Sequence, residues 1–199
     1  MELFTIGHSS HETEKLVDYL KSFHISMVCD VRSQPYSKFN PQYNRESFQK
    51  SLEAVGIGYK FLGKELGPRK SDADLFVDGR IKYRLIAKSL EFQQGLEQLF
   101  MLMETERIVL MCAEKDPLQC HRTILICRHL RKDIESIHHI LEDGSLEAHS
   151  ETEKRLLRLF GTDPDQLNMF ENMDDLVEKA YDRQAEKIAY TVKEAGEYE

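Results

Sequence analysis

The stretch from Arg107 to Leu130 reads RIVLMCAEKDPLQCHRTILICRHL and indicates the fold class of this 199-residue chain. Its first apolar run, RIVLMC, is typical of a buried β-strand, and its second, TILICRHL, predicts a helix. Asp116, Pro117 and Gln119 fit the N-cap, N1 and N3 positions of that helix. A strand, a polar loop and a helix in this order are typical of one β–α unit of a parallel sheet.

The same alternation continues on both sides of this stretch. Further strands are predicted for residues 3–7, 25–31, 56–61 and 136–140, with helical segments between most of them. Ser9 and Glu12 fit a capping box at the start of the first helix. We therefore expect an α/β fold of three layers, in which helices cover both faces of a mostly parallel sheet of about five strands.

The negative charge of the chain is concentrated at its C-terminus. Residues 161–199 contain 11 acidic and 4 basic residues, whereas the rest of the chain contains 24 acidic and 23 basic residues. This shift predicts an α/β domain over residues 1–160 and an acidic helical C-terminal extension over 161–199. The extension is expected to pack on its own domain or to form a homodimer. The nearly neutral body can still carry a local basic cleft.

Composition narrows the class of protein. The four cysteines are too few for a disulfide scaffold in a chain of this length, which favours reduced thiols and a cytoplasmic location. The first ten residues, MELFTIGHSS, do not resemble a signal peptide. No run approaches the roughly 20 apolar residues of a membrane span, so no membrane partner is expected.

Polar segments follow four of the predicted strands. In open α/β sheets, ligands bind beyond the carboxyl ends of the strands. The sequence therefore predicts a single site built from GHSS (7–10), DVRSQPYS (30–37), LGKELGPR (62–69) and CAEKDPLQCHR (112–122).

The first two segments contain an arginine and a histidine suited to anion chemistry. Asp30 and Arg32 fall on the same side of their strand, so Arg32 either binds an anion while Asp30 holds it, or the pair only orders the loop. His8 is a candidate acid or base because its unperturbed pKa of about 6.5 is near neutrality. Ser9, Ser33 and the amides after Gly7 and after Asp116 are candidate anion ligands, although capping alone explains the serines after Gly7.

The opening stretch contains candidates for both acid–base and thiol chemistry. A helix N-terminus lowers a thiol pKa, so Cys120 is the better candidate for a nucleophile, while Cys112 is read as a core residue. Glu114 and His121 are candidate acids or bases, and Arg122 is a second anion ligand. Nine residues separate Cys112 from Arg122 and the loop lacks glycine, so it does not match the tight amide loop of thiol phosphatases.

A metal site is not expected. The cysteines and histidines lack the spacings of structural zinc sites. Consecutive residues of a helix, such as Cys120 and His121, also point about 100° apart. We therefore predict no metal ligands and no cofactor.

Five ordered motifs carry a family resemblance: TIGHSS, DVRSQPYSKFNP, GIGYKFLGKELG, LMCAEKDPLQCHR and HHILEDG. Together, over about residues 3–144, they resemble family 488 of the domains of unknown function (DUF488), a bacterial and archaeal family with a Cys-His-Arg motif. The resemblance implies an α/β fold but no settled reaction. Pro68 stands where relatives tend to have glycine, and the proline stiffens that bend. The polar landmarks that the resemblance implies here are His8, Ser9, Asp30, Arg32, Ser33, Glu114, Cys120, His121 and Arg122.

These patterns support a leading hypothesis and two alternatives. In the leading one, Arg32 and Arg122 clamp a phosphate-bearing ligand, either a nucleotide or a nucleic-acid end, in an anion-binding pocket at the rim of the sheet. In the second, the chain is a non-catalytic interaction or oligomerisation module that acts through its C-terminal helices. In the third, Cys120 or Cys112 performs rhodanese- or phosphatase-like thiol chemistry. The same residue types serve binding and catalysis, and no pattern in the sequence separates the two.

Overall fold

The computed structural model describes residues 1–166 and 172–191 and has eight strands in these ranges. They are β1 (Glu2–Gly7), β2 (Met27–Asp30), β3 (Gly58–Phe61), β4 (Phe76–Val77), β5 (Arg80–Ile81), β6 (Ile108–Cys112), β7 (Ser136–Ile140) and β8 (Leu146–Ala148). The main sheet has the order β3-β2-β6-β1-β7-β8. In this sheet β3, β2, β6, β1 and β7 are parallel to one another, and β8 is antiparallel to β7. The predicted α/β class and the five predicted strands are confirmed. The edge strand β8 and the β4–β5 hairpin are additions.

Helices connect these strands. They are α1 (Thr13–Ser22), α2 (Arg45–Glu53), α3 (Gly63–Leu66), α4 (Tyr83–Ile86), α5 (Leu90–Met103), a π-helix (Arg122–Cys127), α6 (Arg128–Leu130), α7 (His149–Leu159) and α8 (Met173–Ile188). Ser89 caps α5, because its hydroxyl accepts a hydrogen bond from the Phe92 N–H. Within the described ranges, no helix combines the length and the apolar content that crossing a membrane requires.

The strand β6 shows how the sheet divides the core into two. Ile108 and Leu110 pack into one cluster, together with α5, the π-helix, α7 and α8. Val109 and Met111 face the other cluster, together with α1 and α2. Successive side chains of a strand point to opposite faces, so a continuous apolar strand needs cover on both sides. The predicted three-layer arrangement is confirmed.

The helix α8 lies on the body of the protein. Its residues Val177, Ala180 and Tyr181 are buried in the same apolar cluster as the sheet. Arg128 and Arg131 form ion pairs with Glu178 on this helix. The apolar face of α8 is therefore covered by its own chain. Other parts of the predicted extension, residues 167–171 and 192–199, lie outside the described residues.

The predicted capping box at Ser9 and Glu12 is wrong. The helix α1 begins at Thr13, and Glu12 occupies its N-cap without a side-chain hydrogen bond. Ser9 instead has a positive φ of 48°, and its N–H donates to the Ala113 carbonyl at 2.9 Å. This contact draws the segment after β1 toward the end of β6, which delays the start of the helix.

The loop after β6 also differs from the prediction. The Asp116 carboxylate accepts a hydrogen bond from the Leu118 N–H at 3.0 Å, so the capping prediction holds. It caps only a short 3₁₀ turn, and Cys120 is extended, with φ −131° and ψ 139°. The π-helix begins two residues later. Short π-helical segments are often found at functional sites.

Candidate functional site

Three adjacent parallel strands bring polar segments together at one rim. The order β2-β6-β1 places the ends of these strands, Asp30, Cys112 and Gly7, side by side. The approach is closest at Gly7, where an added Cβ would lie 1.8 Å from the carbonyl oxygen of Glu114. Only glycine allows the backbone of the 113–115 loop to come this near to β1.

A small cleft of about 210 Å³ opens between the segments that follow β2, α3 and β6. Of the residues predicted for the site, Arg32, Ser33, Glu114 and His121 line it. Its remaining lining residues are Gln34, Tyr36, Pro68, Arg69, Cys112 and Ala113. Ser9 is not among them, and its amide already pairs with Ala113.

Arg32 is held by a buried carboxylate. Its Nε and Nη2 donate to the two oxygens of Asp30 at 2.9 and 2.6 Å, and Nη2 also donates to the Tyr43 carbonyl at 2.8 Å. The Tyr59 hydroxyl donates to Asp30 at 2.7 Å. Burial alone would lower the pKa of Arg32, but the hydrogen bonds and charge of Asp30 raise it. The guanidinium is therefore a fixed cation, and Asp30 acts on the cleft only through it.

His8 lies behind Arg32 and does not line the cleft. Its ring stacks on Tyr43 with centroids 4.2 Å apart. Nδ1 donates to the Ser9 carbonyl at 2.8 Å, and Nε2 accepts from Nη1 of Arg32 at 3.2 Å. Burial and the neighbouring Arg32 lower the pKa of His8 to about 4. The neutral ring orients Arg32, so the predicted acid–base role does not fit this geometry.

Four side chains converge at the inner wall of the cleft. The Cys112 thiol donates to Oε2 of Glu114 at 3.0 Å and lies 3.6 Å from Nδ1 of His121. The Cys120 sulfur lies 3.9 Å from the same nitrogen. One polar atom from each of the four residues falls within 4.8 Å of the others. The predicted divergence of Cys120 and His121 is wrong, because Cys120 does not lie in a helix.

Burial decides the protonation of the two thiols. It raises the pKa of Cys112 and raises that of Cys120 well above its ordinary value. The predicted lowering of the Cys120 pKa is wrong because this residue is fully buried and is not at the N-terminus of a regular helix.

His121 and Glu114 shift in opposite directions. Burial alone would lower the pKa of His121, but its contacts with Cys120 and Glu114 raise it. Desolvation opposes the charge of Glu114, yet the attraction of His121 and hydrogen bonds from the two thiols lower its pKa to about 2. The imidazole of His121 and the carboxylate of Glu114 therefore each stabilise the charged form of the other.

Arg122 is fully buried and does not line the cleft. It donates from Nε to Thr5 Oγ1 at 3.3 Å, from Nη1 to the Glu114 carbonyl at 2.5 Å and from Nη2 to the Lys115 carbonyl at 3.2 Å. All three nitrogens are thus used to brace the loop after β6. The predicted anion-clamping role of Arg122 does not fit this placement.

The predicted cradle of free amides is wrong as well. The His8 N–H donates to the Cys112 carbonyl at 2.8 Å, and the Leu118 N–H donates to the Asp116 carboxylate. These N–H groups therefore form hydrogen bonds within the protein and are not available to an anion.

Six of the cleft residues were not among the predicted site residues, and two of these, Cys112 and Arg69, carry a thiol and a charge. Cys112 was read as a core residue, although the last residue of a strand lies at the rim and its side chain faces the same cluster as Leu110. Arg69 follows α3 and lines the cleft, and its N–H donates to the Ser33 hydroxyl at 2.9 Å. The position of LGPR directly after a strand and short helix was the signal for Arg69.

Comparison with known proteins gives one match. The family model for the domain of unknown function DUF488 matches residues 12–128, which is more than half of the chain. This range includes every cleft residue and begins after His8 and Ser9. No curated protein and no solved structure matches the sequence.

Proposed function

Since the chain belongs to the DUF488 family, whose function is unknown, the rim of its sheet is the starting point, and we propose that this cleft binds a phosphate-bearing ligand. The ligand class is a nucleotide or a nucleic-acid end. Arg32 is the principal anion ligand, and Arg69 and Ser33 assist it. Arg122, which the sequence suggested for this role, is left out because it is fully buried and does not line the cleft. The backbone amides are left out because their donors are already used.

The placement of Arg32 carries this proposal. Its hydrogen bonds to Asp30, Tyr43 and His8 account for four of the five guanidinium N–H groups, and one Nη1 hydrogen remains. The side chain is only 7% exposed, yet it lines the cleft. A cation that is fixed in place before binding loses little conformational entropy when an anion docks, which favours affinity.

The size of the cleft supports a small anionic group. Its volume of about 210 Å³ is below the roughly 300–1,000 Å³ typical of sites that enclose a whole drug-sized ligand. A phosphate group fits this volume, and the remainder of a nucleotide or oligonucleotide would extend toward the exposed Tyr36 and Arg69.

The two alternative functions have less support. A nucleophilic thiolate needs a lowered pKa, whereas burial raises the pKa of both Cys112 and Cys120. An interaction module that acts through α8 needs a free apolar face, but Val177 and Tyr181 are buried against the body.

The test measures binding of inorganic phosphate, a nucleoside triphosphate and a short 5′-phosphorylated oligonucleotide by calorimetry. We expect Arg32→Ala to weaken binding by about tenfold or more, equal to about 1.4 kcal/mol. Arg158→Ala is the matched control, because Arg158 is exposed on α7, away from the cleft, and its side chain pairs with Asp165. It should bind as the parent does.

A second variant guards against misfolding. Arg32→Ala leaves the buried Asp30 carboxylate without its cation, so Asp30→Asn/Arg32→Gln is measured beside it. If a folded variant of either kind binds all three probes as tightly as the parent, the proposal is wrong. It is also wrong if the parent binds none of them.

A further inference from the structure

The donor atoms at the inner wall of the cleft match one class of ligand. Two sulfurs, an imidazole nitrogen and a carboxylate oxygen, from Cys112, Cys120, His121 and Glu114, lie within 4.8 Å of one another. The edges of a tetrahedral site with metal–ligand bonds of about 2.0–2.3 Å are between roughly 3 and 4 Å. The separations of 3.0, 3.6 and 3.9 Å between these atoms fall in that range.

The order of the chain creates this convergence. Cys112 ends β6 and faces the same side of the sheet as Leu110. The 3₁₀ turn of residues 117–119 then reverses the chain, and the extended backbone of Cys120 directs its sulfur toward Cys112. His121 follows directly, before the π-helix begins. The site therefore depends on an irregular backbone, which explains why its residue spacing differs from that of common zinc motifs.

Contacts behind the four donors hold them in a ligating orientation. His121 donates from Nε2 to the Val31 carbonyl at 3.0 Å, which leaves Nδ1 facing the two sulfurs. Histidine ligands of metals usually make such a hydrogen bond through the nitrogen that does not bind the metal. The Arg122 N–H donates to the Cys120 sulfur at 3.4 Å, a contact that stabilises negative charge on sulfur.

From this geometry we propose that Cys112, Cys120, His121 and Glu114 form a binding site for a divalent cation of the zinc class. Two thiolates with imidazole and carboxylate are ligands for a borderline-soft metal such as Zn²⁺, whereas Ca²⁺ and Mg²⁺ prefer sites made only of oxygen. Metal binding displaces to solvent the two thiol protons and the Nδ1 proton of a protonated His121, and it forms two Zn–S bonds, one Zn–N bond and one Zn–O bond.

The position of the site makes it reachable from solvent. Glu114 is exposed, and Cys112 and His121 line the cleft. Arg32 lines the same cleft, but its side-chain hydrogen bonds go to Asp30, Tyr43 and His8 and not to the four donors. This inference does not rest on the phosphate ligand, because none of the four donors is required to bind an anion.

The experiment uses the full chain, reduced and stripped of metal with a chelator. Zn²⁺ is titrated against a chromophoric competitor, and Co²⁺ is used as a spectroscopic probe. We expect one Zn²⁺ per chain and a thiolate-to-Co²⁺ charge-transfer band. Cys112→Ser and Cys120→Ser should each weaken Zn²⁺ binding by about a hundredfold or more, since loss of a mere supporting contact already costs about 10–100-fold.

Matched variants separate ligation from other causes. Cys127→Ala removes a thiol that is equally buried in the same core cluster and should bind Zn²⁺ as the parent does. Arg32→Ala should also retain Zn²⁺ binding, so failure of the phosphate proposal is distinguishable from failure of this one. If the double variant Cys112→Ser/Cys120→Ser binds Zn²⁺ as tightly as the parent, the assignment is overturned.

A measurement on the unaltered chain covers the case in which the cysteine variants do not fold. X-ray absorption of the zinc-loaded protein should show two sulfur ligands at about 2.3 Å and two lighter ligands at about 2.0–2.2 Å. A first shell without sulfur, or a parent chain that binds no Zn²⁺, would refute the site.

Discussion

Two buried arginines, Arg32 after β2 and Arg122 at the start of the π-helix, differ in the groups to which they donate hydrogen bonds. Arg32 spends two of its nitrogens on the Asp30 carboxylate and lines the cleft. Arg122 donates mainly to the backbone carbonyls of Glu114 and Lys115 and does not line the cleft. Both are at most 7% exposed. The acceptors, rather than the burial, therefore distinguish Arg32, the proposed anion ligand, from Arg122, which braces a loop.

Each arginine also has histidines nearby that burial keeps neutral. His8 accepts directly from Arg32. Behind Arg122, Thr5 Oγ1 contacts His139 Nδ1 at 2.7 Å, and His139 Nε2 contacts His149 Nδ1 at 2.9 Å. The Tyr181 hydroxyl lies 3.0 Å from His149 Nε2 and donates to Glu153. When both histidine rings are neutral, each donor in this row of hydrogen bonds meets one acceptor. The side chains behind Arg122 therefore stabilise the folded protein.

The largest effect on stability is expected for Arg122→Met, which keeps a side chain of similar length but has no N–H groups. The Glu114 and Lys115 carbonyls and the Thr5 hydroxyl would lose a donor each. An unsatisfied buried acceptor costs about 1–3 kcal/mol, so we expect the free energy of unfolding to fall by about 3 kcal/mol or more. Urea unfolding with an unchanged m-value measures this loss.

The control for this prediction is an exposed arginine. Arg158→Met on α7 should change the free energy of unfolding by no more than about 0.5 kcal/mol. If Arg122→Met is as stable as Arg158→Met, then Arg122 does not brace the loop, and its distinction from Arg32 fails.

The second prediction concerns acid and the histidine chain behind Arg122. Burial, the neighbouring His149 and Arg122 lower the pKa of His139 well below its ordinary value, and burial and Arg131 lower that of His149 to about 4. Between about pH 6.5 and 4 the unfolded chain therefore binds more protons than the folded one, so the folded protein loses stability as the pH falls. The loss from His149 is at most about 3 kcal/mol.

Chemical denaturation at several pH values between 7 and 4 checks this prediction. His149→Gln should reduce the slope of the unfolding free energy against pH, whatever its effect on absolute stability. His24→Asn is the control, because His24 is exposed and asparagine tolerates its positive φ of 54°. Equal slopes for the parent and His149→Gln would show that the chain does not titrate as inferred.

The fold was predictable because its signals are local and repeated. The apolar runs of β1, β2 and β6 are each too long and too hydrophobic for a solvent-exposed loop, so they indicate buried strands. Parallel strands in turn need crossover connections, which are usually helices. The edge strand β8 was missed because Leu146–Ala148 is short and has no alternating pattern. It forms only because the turn of residues 142–145 returns it to β7.

The site was predictable by segment but not by residue. The rule that parallel strands present their carboxyl ends at one rim brings Arg32, Cys112 and Glu114 together. The sequence does not show which acceptors an arginine will find, so Arg122 was assigned to the ligand and Arg69 was overlooked. Similarly, the capping pattern at Asp116 does not reveal that Cys120 is extended, and this backbone conformation is what brings two thiols beside His121.

Compared with Arg122→Met, the Arg32→Lys variant should lose less stability but more phosphate affinity. Lysine keeps the charge but cannot bond both Asp30 oxygens as the guanidinium does. We expect the free energy of unfolding to fall by about 1–2 kcal/mol and the affinity for phosphate to fall by about tenfold. Calorimetry and urea unfolding on the same samples measure both. An affinity that does not change would remove Arg32 from the ligand and make it a brace like Arg122.

The smallest effect is expected for Tyr59→Phe, which tests whether Asp30 depends on more than Arg32. The Tyr59 hydroxyl donates to Asp30 Oδ2 at 2.7 Å, and the same oxygen also accepts from Nη2 of Arg32. Asp30 therefore keeps its cation, and we expect the free energy of unfolding to fall by only about 1 kcal/mol. Tyr36→Phe, which removes an exposed hydroxyl 2.7 Å from Glu46, should have almost no effect on stability.

The phosphate affinity of Tyr59→Phe decides how rigidly Arg32 is held. If the two bonds from Arg32 to Asp30 suffice, the affinity should stay within about twofold of the parent, because the guanidinium does not move. If the affinity falls as far as in Arg32→Lys, then the position of Arg32 depends on the whole set of donors around Asp30. Arg32 would still differ from Arg122, but its placement would come from a shared network rather than from one ion pair.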